Sequence, residues 1–308
     1  MVKILVTGAR GMVGKSICEH IDSSNHEILK PSKLELNLLN PISTKKFLHD
    51  TKPQLIIHAA GVVGGIEANI KEPKKYFYDN LQIGLNLINY SQELGINNFL
   101  NIASSCMFPR NAENPLTEDL ILKGELEPTN EGYALAKICM ERLCKYICSE
   151  DNSYLYKTIV PCNIYGKYDK FDLDVAHMLP SVIHRMHNAK KMNENSIEIW
   201  GDGKARREFM YSEDLADAIW FCVNHISELP QTINIGIGVD YSIKEYYEEV
   251  ASVIDFNCEY IFNLNKPTGM VKKLVDSSQI NKLGWKPKFN LNKGIESTYK
   301  YFLSNYKN

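Results

Sequence analysis

The sequence has no run approaching the roughly 18 apolar residues of a membrane-spanning helix. Its start, Met1-Val-Lys-Ile-Leu-Val-Thr-Gly8, lacks the long apolar core of a secretion signal. None of its eight cysteines forms a Cys-x-x-Cys pair, which argues against a zinc ribbon or a thioredoxin-like site. Cys139, Cys144 and Cys148 fall on one predicted helix, yet Cys139 points roughly 140° away from Cys144, so the three share no face. The expectation is a cytoplasmic protein with reduced thiols and no membrane contact. Net charge is also scarce. The 35 Lys+Arg against 37 Asp+Glu leave −2, which gives no reason to expect a nucleic-acid partner. A basic pocket for a small anion needs only a few local charges, so it stays open. Internal repeats and low-complexity segments are absent as well.

What remains is an ordinary globular composition, 44% hydrophobic and 23% charged, which excludes a disordered, collagen-like or coiled-coil chain. At roughly 150 residues per domain, 308 residues make about two domains. Strand-like runs at Lys3–Val6, His26–Lys30, Gln54–Ala60, Phe99–Ala103 and Tyr156–Val160 alternate with helical patterns at Met12–Ile21, Pro73–Leu94 and Gly132–Ser149. Leu55-Ile56-Ile57 is continuously apolar, as a strand buried on both faces requires. The pattern predicts an α/β fold, a Rossmann-type doubly wound parallel sheet, with a smaller α/β C-terminal domain. The second half reads as helices at Val175–Asn188, Ser212–His225 and Leu291–Leu303. Extended runs fall at Ile197–Trp200 and Thr232–Ile235. Ser242-Ile-Lys-Glu245 is a capping box opening a helix to about Ile254. The expected division is 1–165 plus about 207–240 for the cofactor domain, and about 166–206 plus 241–308 for the substrate domain.

Gly8-Ala-Arg-Gly11-Met-Val-Gly14 follows the first strand and opens the first helix. That is the strand–turn–helix setting in which glycines admit a pyrophosphate to a helix N-terminus. NAD-preferring folds place an acid at the end of the second strand. Here the segment is Leu29-Lys30-Pro31-Ser32-Lys33, with two lysines and no acid, and Arg10 sits inside the glycine loop. A cationic cluster of Arg10, Lys30 and Lys33 suits a 2′-phosphate, so the expected cofactor is NADPH/NADP. Tyr133-Ala-Leu-Ala-Lys137 puts a phenol and an ammonium on one helical face. A nearby ammonium is expected to lower the phenol pKa and make Tyr133 a usable acid.

With Ser104-Ser105 after a central strand, these features together resemble the extended branch of the short-chain dehydrogenase/reductases. Within it, the chain is similar to the GDP-L-fucose synthase family of GDP-4-keto-6-deoxymannose epimerase/reductases. The resemblance is carried by His58-Ala-Ala60, Val63-Gly-Gly-Ile66, Ser104-Ser-Cys106, Glu127-Pro-Thr-Asn-Glu131, Asn163-x-Tyr-Gly166, Trp200-Gly-x-Gly203, Arg207-Glu-Phe209 and Lys272-Lys273-Leu-Val-Asp276. It implies an NADPH-dependent C4 reduction of a GDP-4-keto-6-deoxy sugar, with Tyr133 protonating the alkoxide. Ser104 would bind the carbonyl oxygen, with Ser105 the neighbouring alternative. Lys137 would hold the cofactor ribose. The family also epimerises C3 and C5, which gives Cys106 as base and His177 as acid, the other seven cysteines being read as small buried hydrophobes. Beyond the loop residues, the resemblance adds Met12, Val13, Ala59, Ala60, Pro161 and Asn163 to the cofactor site. For the GDP half it gives Asn163, Arg185, Trp200, Arg207 and Lys273. His177, His184 and His187 share a helical face, but no acidic or thiol partner completes a metal site, so no metal is expected.

The chain departs from the family at the sugar end. Lys170 stands for the usual Asn, Ala176 for the usual Ser, and Gly203-Lys-Ala-Arg206 lacks the usual Pro. One alternative is therefore a C4 reductase without epimerisation, acting on a GDP-4-keto-6-deoxy-heptose for surface polysaccharide. A second, of another class, is a non-catalytic NADP-binding sensor. Extended-branch reductases pair through helices, which predicts a homodimer using 73–94 and 132–149. Ile83, Leu87 and Tyr90 follow helical spacing there, as core packing would also require.

Overall fold

A computed structural model describes residues 1–173, 175–266 and 269–306. The first half runs β1 (Lys3–Thr7), α1 (Met12–Glu19), β2 (Glu27–Leu29), α2 (Pro41–Thr51), β3 (Leu55–His58), α3 (Ile66–Lys71), α4 (Pro73–Glu93), β4 (Asn98–Ile102), α5 (Glu131–Glu150) and β5 (Leu155–Pro161). After β6 (Asn163–Tyr165) come α6 (Met178–Lys191), β7 (Ser196–Trp200), β8 (Arg206–Arg207), β9 (Phe209–Tyr211), α7 (Ser212–Asn224) and β10 (Thr232–Ile235). The chain ends with β11 (Tyr241–Ser242), α8 (Ile243–Ile254), β12 (Glu259–Asn263), β13 (Lys272–Lys273), α9 (Ser278–Leu283) and α10 (Leu291–Asn305).

The central sheet has six parallel strands in the order β10-β5-β4-β3-β1-β2. Both faces are covered, which is why its strands read as unbroken apolar runs. Ile4, Val6 and Ile57 pack with Ile17 of α1 and Trp220 of α7 on one face. Leu5, Ile56 and Phe99 pack with Leu87 of α4 and Met140 of α5 on the other. β1 leads outward to β2 on one side and pairs with β3 on the other. The crevice at that reversal, beyond the carboxyl ends of the strands, is where such sheets hold ligands. A third cluster, around Tyr165, Phe171, Leu179, Ile199, Tyr246 and Phe302, joins α6, α8 and α10.

Several sequence expectations are corrected. The helix expected from Val175 starts at Met178, with His177 as its N-cap residue. Helix α2 was not expected, although Asn40-Pro41 announces it. The Asn40 side chain accepts from Ser43 N, and Pro41 occupies the first turn, where its missing N–H costs nothing. Residues 275–285, expected with the substrate domain, return to the sheet, where Val275, Ile280 and Trp285 pack with β10 residues Ile233 and Ile235. Leu87 is fully buried, and the partly buried Ile83 and Tyr90 pack on its cluster, as core packing requires. Cys139 is exposed rather than a buried hydrophobe, and Cys18, Cys148 and Cys258 are half-buried.

Candidate active site

The glycine loop has the backbone that a close phosphate approach needs. Gly8 has φ +68, and a Cβ there would meet the Ala59 backbone at 2.8 Å. A Cβ on Gly14 would collide with the Gly8 carbonyl oxygen. Gly11 caps α1 with no side-chain hydrogen bond, so the first-turn N–H groups of Met12, Val13 and Gly14 are left for an anion. Arg10, Lys30 and Lys33 are all exposed. Near them is an acid the sequence reading did not weigh, Glu35. Its carboxylate accepts from Ser32 N at 2.6 Å. Hydrogen bonds from Ser32 and the charge of Arg10 hold it below the usual carboxylate range. The acid is thus tied to its own turn, and the cations remain.

One cavity of about 570 Å³ gathers Met12, Val13, Ala59, Ala60, Pro161 and Asn163 with the catalytic candidates Ser104, Cys106, Tyr133, Lys137 and His177. Ser104 lines it, whereas Ser105 is buried at 2% exposure. Ser104 Oγ accepts from Cys106 N at 3.3 Å, and its hydroxyl hydrogen-bonds the Tyr133 oxygen. Lys137, on the next turn of α5, donates to the Ile102 carbonyl at 2.9 Å and lies 5.8 Å from the centre of the Tyr133 ring.

The electrostatics differ from expectation. Burial, aided by the nearby Cys106, pushes the Tyr133 phenol up, and only Ser104 pulls it down. Lys137 is itself lowered to about 8 by burial, because an ammonium out of water loses hydration. Tyr133 is therefore held protonated, the form a proton donor needs. A pH limb follows. Lys137 is charged below about pH 8 and neutral above it. We expect kcat/KM for ketone reduction to fall as pH rises through that value, and the limb to vanish in Lys137→Met. A wild-type profile flat to pH 10 would count against a role for the charge.

Cys106 Sγ accepts from Asn130 Nδ2 at 3.1 Å and lies 3.7 Å from Lys273 Nζ. His177 shares the cavity. Burial first, then the charges of Lys170 and Lys273, hold its imidazole below the ordinary histidine value. His184 and His187 turn elsewhere, His184 Nδ1 to the Phe171 carbonyl at 2.6 Å and His187 Nδ1 to Tyr299 Oη at 3.0 Å. Among the described residues no group of three or more His, Cys, Asp or Glu is placed to hold a metal ion.

The same cavity is also lined by Arg185, Trp200 and Arg207. Arg185 donates to the Glu198 carbonyl at 3.0 Å and to the Tyr247 hydroxyl. Arg207 Nη1 donates to the Arg206 carbonyl at 2.8 Å. Asn163 Nδ2 donates to the Glu208 carbonyl at 2.8 Å. Lys273, expected with these residues, is the register partner of Arg207, and its Nζ also reaches Cys106. The sequence reading also missed Lys266, which lies 4.6 Å over the Trp200 ring and 3.6 Å from Glu67. No motif announces it. Asn130 lies within the quoted Glu127–Glu131 segment, but its contact with Cys106 was not foreseen.

The NAD dependent epimerase/dehydratase family model matches residues 4–236. The chain belongs to that family. It is 48% identical to GDP-L-colitose synthase of Yersinia pseudotuberculosis over 307 residues, covering 100% of each chain. With GDP-L-fucose synthase of Azorhizobium caulinodans it shares 42% over 302 residues, covering 98% of this chain and 96% of the relative. Among solved structures it is similar to a GDP-6-OMe-4-keto-L-xylo-heptose reductase from C. jejuni. There the TM-score is 0.91 at 29% identity, with 98% of each chain covered.

Proposed function

We propose that this enzyme reduces the C4 ketone of a GDP-linked 4-keto-6-deoxy sugar. NADPH supplies the hydride when bound. Met12, Val13, Gly14 and the cations Arg10, Lys30 and Lys33 would hold its phosphates, and Lys137 its nicotinamide ribose. Tyr133 donates a proton to the oxygen at C4 while Ser104 hydrogen-bonds it, so charge developing there is met by two fixed donors. Arg185, Arg207 and Asn163 bind the nucleotide end, and Trp200 offers a face for the base. Cys106 takes a proton from a carbon beside the ketone, the first step of epimerisation at C3 or C5. The observation that carries the reading is the convergence of Ser104, Tyr133, Lys137 and Cys106 on one cavity beside the glycine loop.

The names of the relatives set the substrate panel: the keto precursors of GDP-L-colitose and GDP-L-fucose, and a GDP-4-keto-heptose. NADPH oxidation with each, run in deuterated water, tests the reading. Turnover with deuterium at the carbons flanking C4 supports reduction with proton exchange. Turnover without it leaves a C4 reductase, the second reading, which Lys170 and Ala176 at the sugar end favour. No oxidation of NADPH by any member overturns the enzyme reading. Arg10→Ala with Lys30→Ala is expected to raise KM for NADPH about tenfold, the worth of one charge-assisted hydrogen bond, while KM for NADH stays put. Equal losses with both cofactors would remove the 2′-phosphate role.

The division into cofactor and substrate domains, with the 275–285 return noted above, belongs to the same reading, as do cytoplasmic location and a place in surface-polysaccharide synthesis. Among the described residues no helix is long and apolar enough to cross a membrane. A homodimer through α4 and α5 fits the exposed apolar residues they carry, Tyr78 at 57%, Leu135 at 37% and Tyr146 at 56%. Sedimentation of the wild type against Leu135→Glu/Tyr146→Glu tests it, and a wild-type monomer ends it.

A further inference from the structure

Lys273, which the motif match puts at the nucleotide end, also has its ammonium turned to Cys106. It lies on β13, 8% exposed, with its Nζ 3.7 Å from Cys106 Sγ. Its neighbour Lys272 pairs with Asp240 at 3.1 Å, whereas no Asp or Glu among the described residues pairs with Lys273. A buried ammonium calls for an anion. The backbone around it is fixed. Glu208 N donates to the Lys273 carbonyl at 3.2 Å, and Val275 N donates to Glu208 Oε2 at 3.1 Å. On the other side of the sulfur, Asn130 Nδ2 donates at 3.1 Å, and the Asn130 Oδ1 is buried without a partner.

Two donors from separate segments therefore converge on one sulfur. A neutral thiol is a weak acceptor, and a thiolate beside an ammonium is a strong one. The other ionisable groups that feel this sulfur are Tyr133 on α5 and Arg207 on β8. Glu127 acts on Arg207 in turn, and His177 at the head of α6 feels Lys273. We propose that Lys273 is a positioning residue that holds Cys106 as a thiolate, ready to act as base. This rests on the reading of Cys106 as the group that exchanges sugar protons. In that step the sulfur gains a proton as a C–H bond next to the ketone breaks. The C–H electron pair becomes the enolate double bond, and the ketone oxygen takes the negative charge, facing Tyr133 and Ser104. Return of a proton from the sulfur restores the ketone. Exchange of the S–H proton with solvent in between leaves a deuterium label.

Iodoacetamide alkylation of Cys106 without substrate, followed by peptide mass spectrometry, reads the pair directly. In the wild type the rates at pH 7 and pH 10 are expected within about threefold, against roughly thirtyfold for an ordinary thiol. Lys273→Met should slow the pH 7 rate about tenfold and leave the pH 10 rate alone, while Lys273→Arg restores most of it. A thirtyfold wild-type ratio overturns the pair, as does equal slowing in the Met and Arg variants, which a purely structural role would give. The wild-type arm needs no variant to fold. Deuterium exchange at the sugar carbons is scored separately. Slower labelling in Lys273→Met, beyond any loss of C4 reduction, supports the proposal. A fast-alkylating wild type that never labels the sugar keeps the ion pair but removes its use as a base.

Discussion

Tyr133→Phe is expected to lower kcat for C4 reduction by about 10²–10⁴-fold while the Kd for NADPH moves less than about threefold. The size follows from where the phenol stands. As hydride reaches C4, the ketone oxygen turns towards alkoxide, so losing the proton source removes one of the two hydroxyl donors, Tyr133 and Ser104, that the reading places on it. Burial pushes the Tyr133 phenol up, so nearly every molecule carries the proton at neutral pH. The same upward push makes the reverse reaction, oxidation of the alcohol, dependent on a scarce phenolate. Its rate should climb with pH where reduction does not. Single-turnover decay of NADPH absorbance separates chemistry from binding. A Phe variant within tenfold of wild type would show that water or another side chain protonates C4. Ser104→Ala should cost less, because Tyr133 can still donate.

How far the sequence revealed this site depended on the distance over which its parts are assembled. The glycine loop, Tyr133 and Lys137 are local patterns on one turn or one helix, and they were legible as chemistry before any fold was known. The six-stranded sheet was legible where strands are buried on both faces, as at Leu55–Ile57. Two-residue strands such as β8 and β13 have no period to read and exist because they pair, β8 with both β11 and β13. That pairing carries Lys273 to Cys106, 167 positions away in sequence. The start of α6 was misread because residues 175–177 keep an apolar rhythm although His177 is extended at the cap. Charge interplay was the hardest part. Spacing alone suggested that Lys137 tunes Tyr133, but burial dominates both groups, raising one and lowering the other. Burial of that kind is a property of the closed cavity, which no four-residue spacing encodes.

Gly14→Ala is expected to damage both helix packing and cofactor binding. A Cβ on Gly14 points into backbone, at the Gly8 carbonyl and, at 2.7 Å, the Ala9 Cα. Neither can rotate away as a side chain could. The loop is also held from behind, where a Cβ on Gly8 would meet Ala59 and Ala60 at 2.8 Å. Helix α1 must therefore retreat from β1, opening its packing against α7 through Ile17 and Trp220. The Trp220 indole bond to the Ile17 carbonyl, 2.9 Å long, would be strained with it. Overpacking of this kind costs about 1–3 kcal/mol, and a shift of α1 moves the phosphate-facing N–H groups with the helix. We expect the midpoint of thermal unfolding to fall by several degrees and NADPH affinity to drop at least about 100-fold. Gly11→Ala is the control, because its Cβ would meet only the Gly8 oxygen at 3.4 Å, an ordinary contact. That variant should melt like the wild type and lose affinity alone, through the methyl on the phosphate side of the loop. Melting curves and NADPH fluorescence titrations on the two variants separate a packing role from a binding role. If Gly14→Ala keeps both stability and affinity, α1 is not held against the loop as the geometry requires, and the assignment of this loop as the phosphate cradle falls with it.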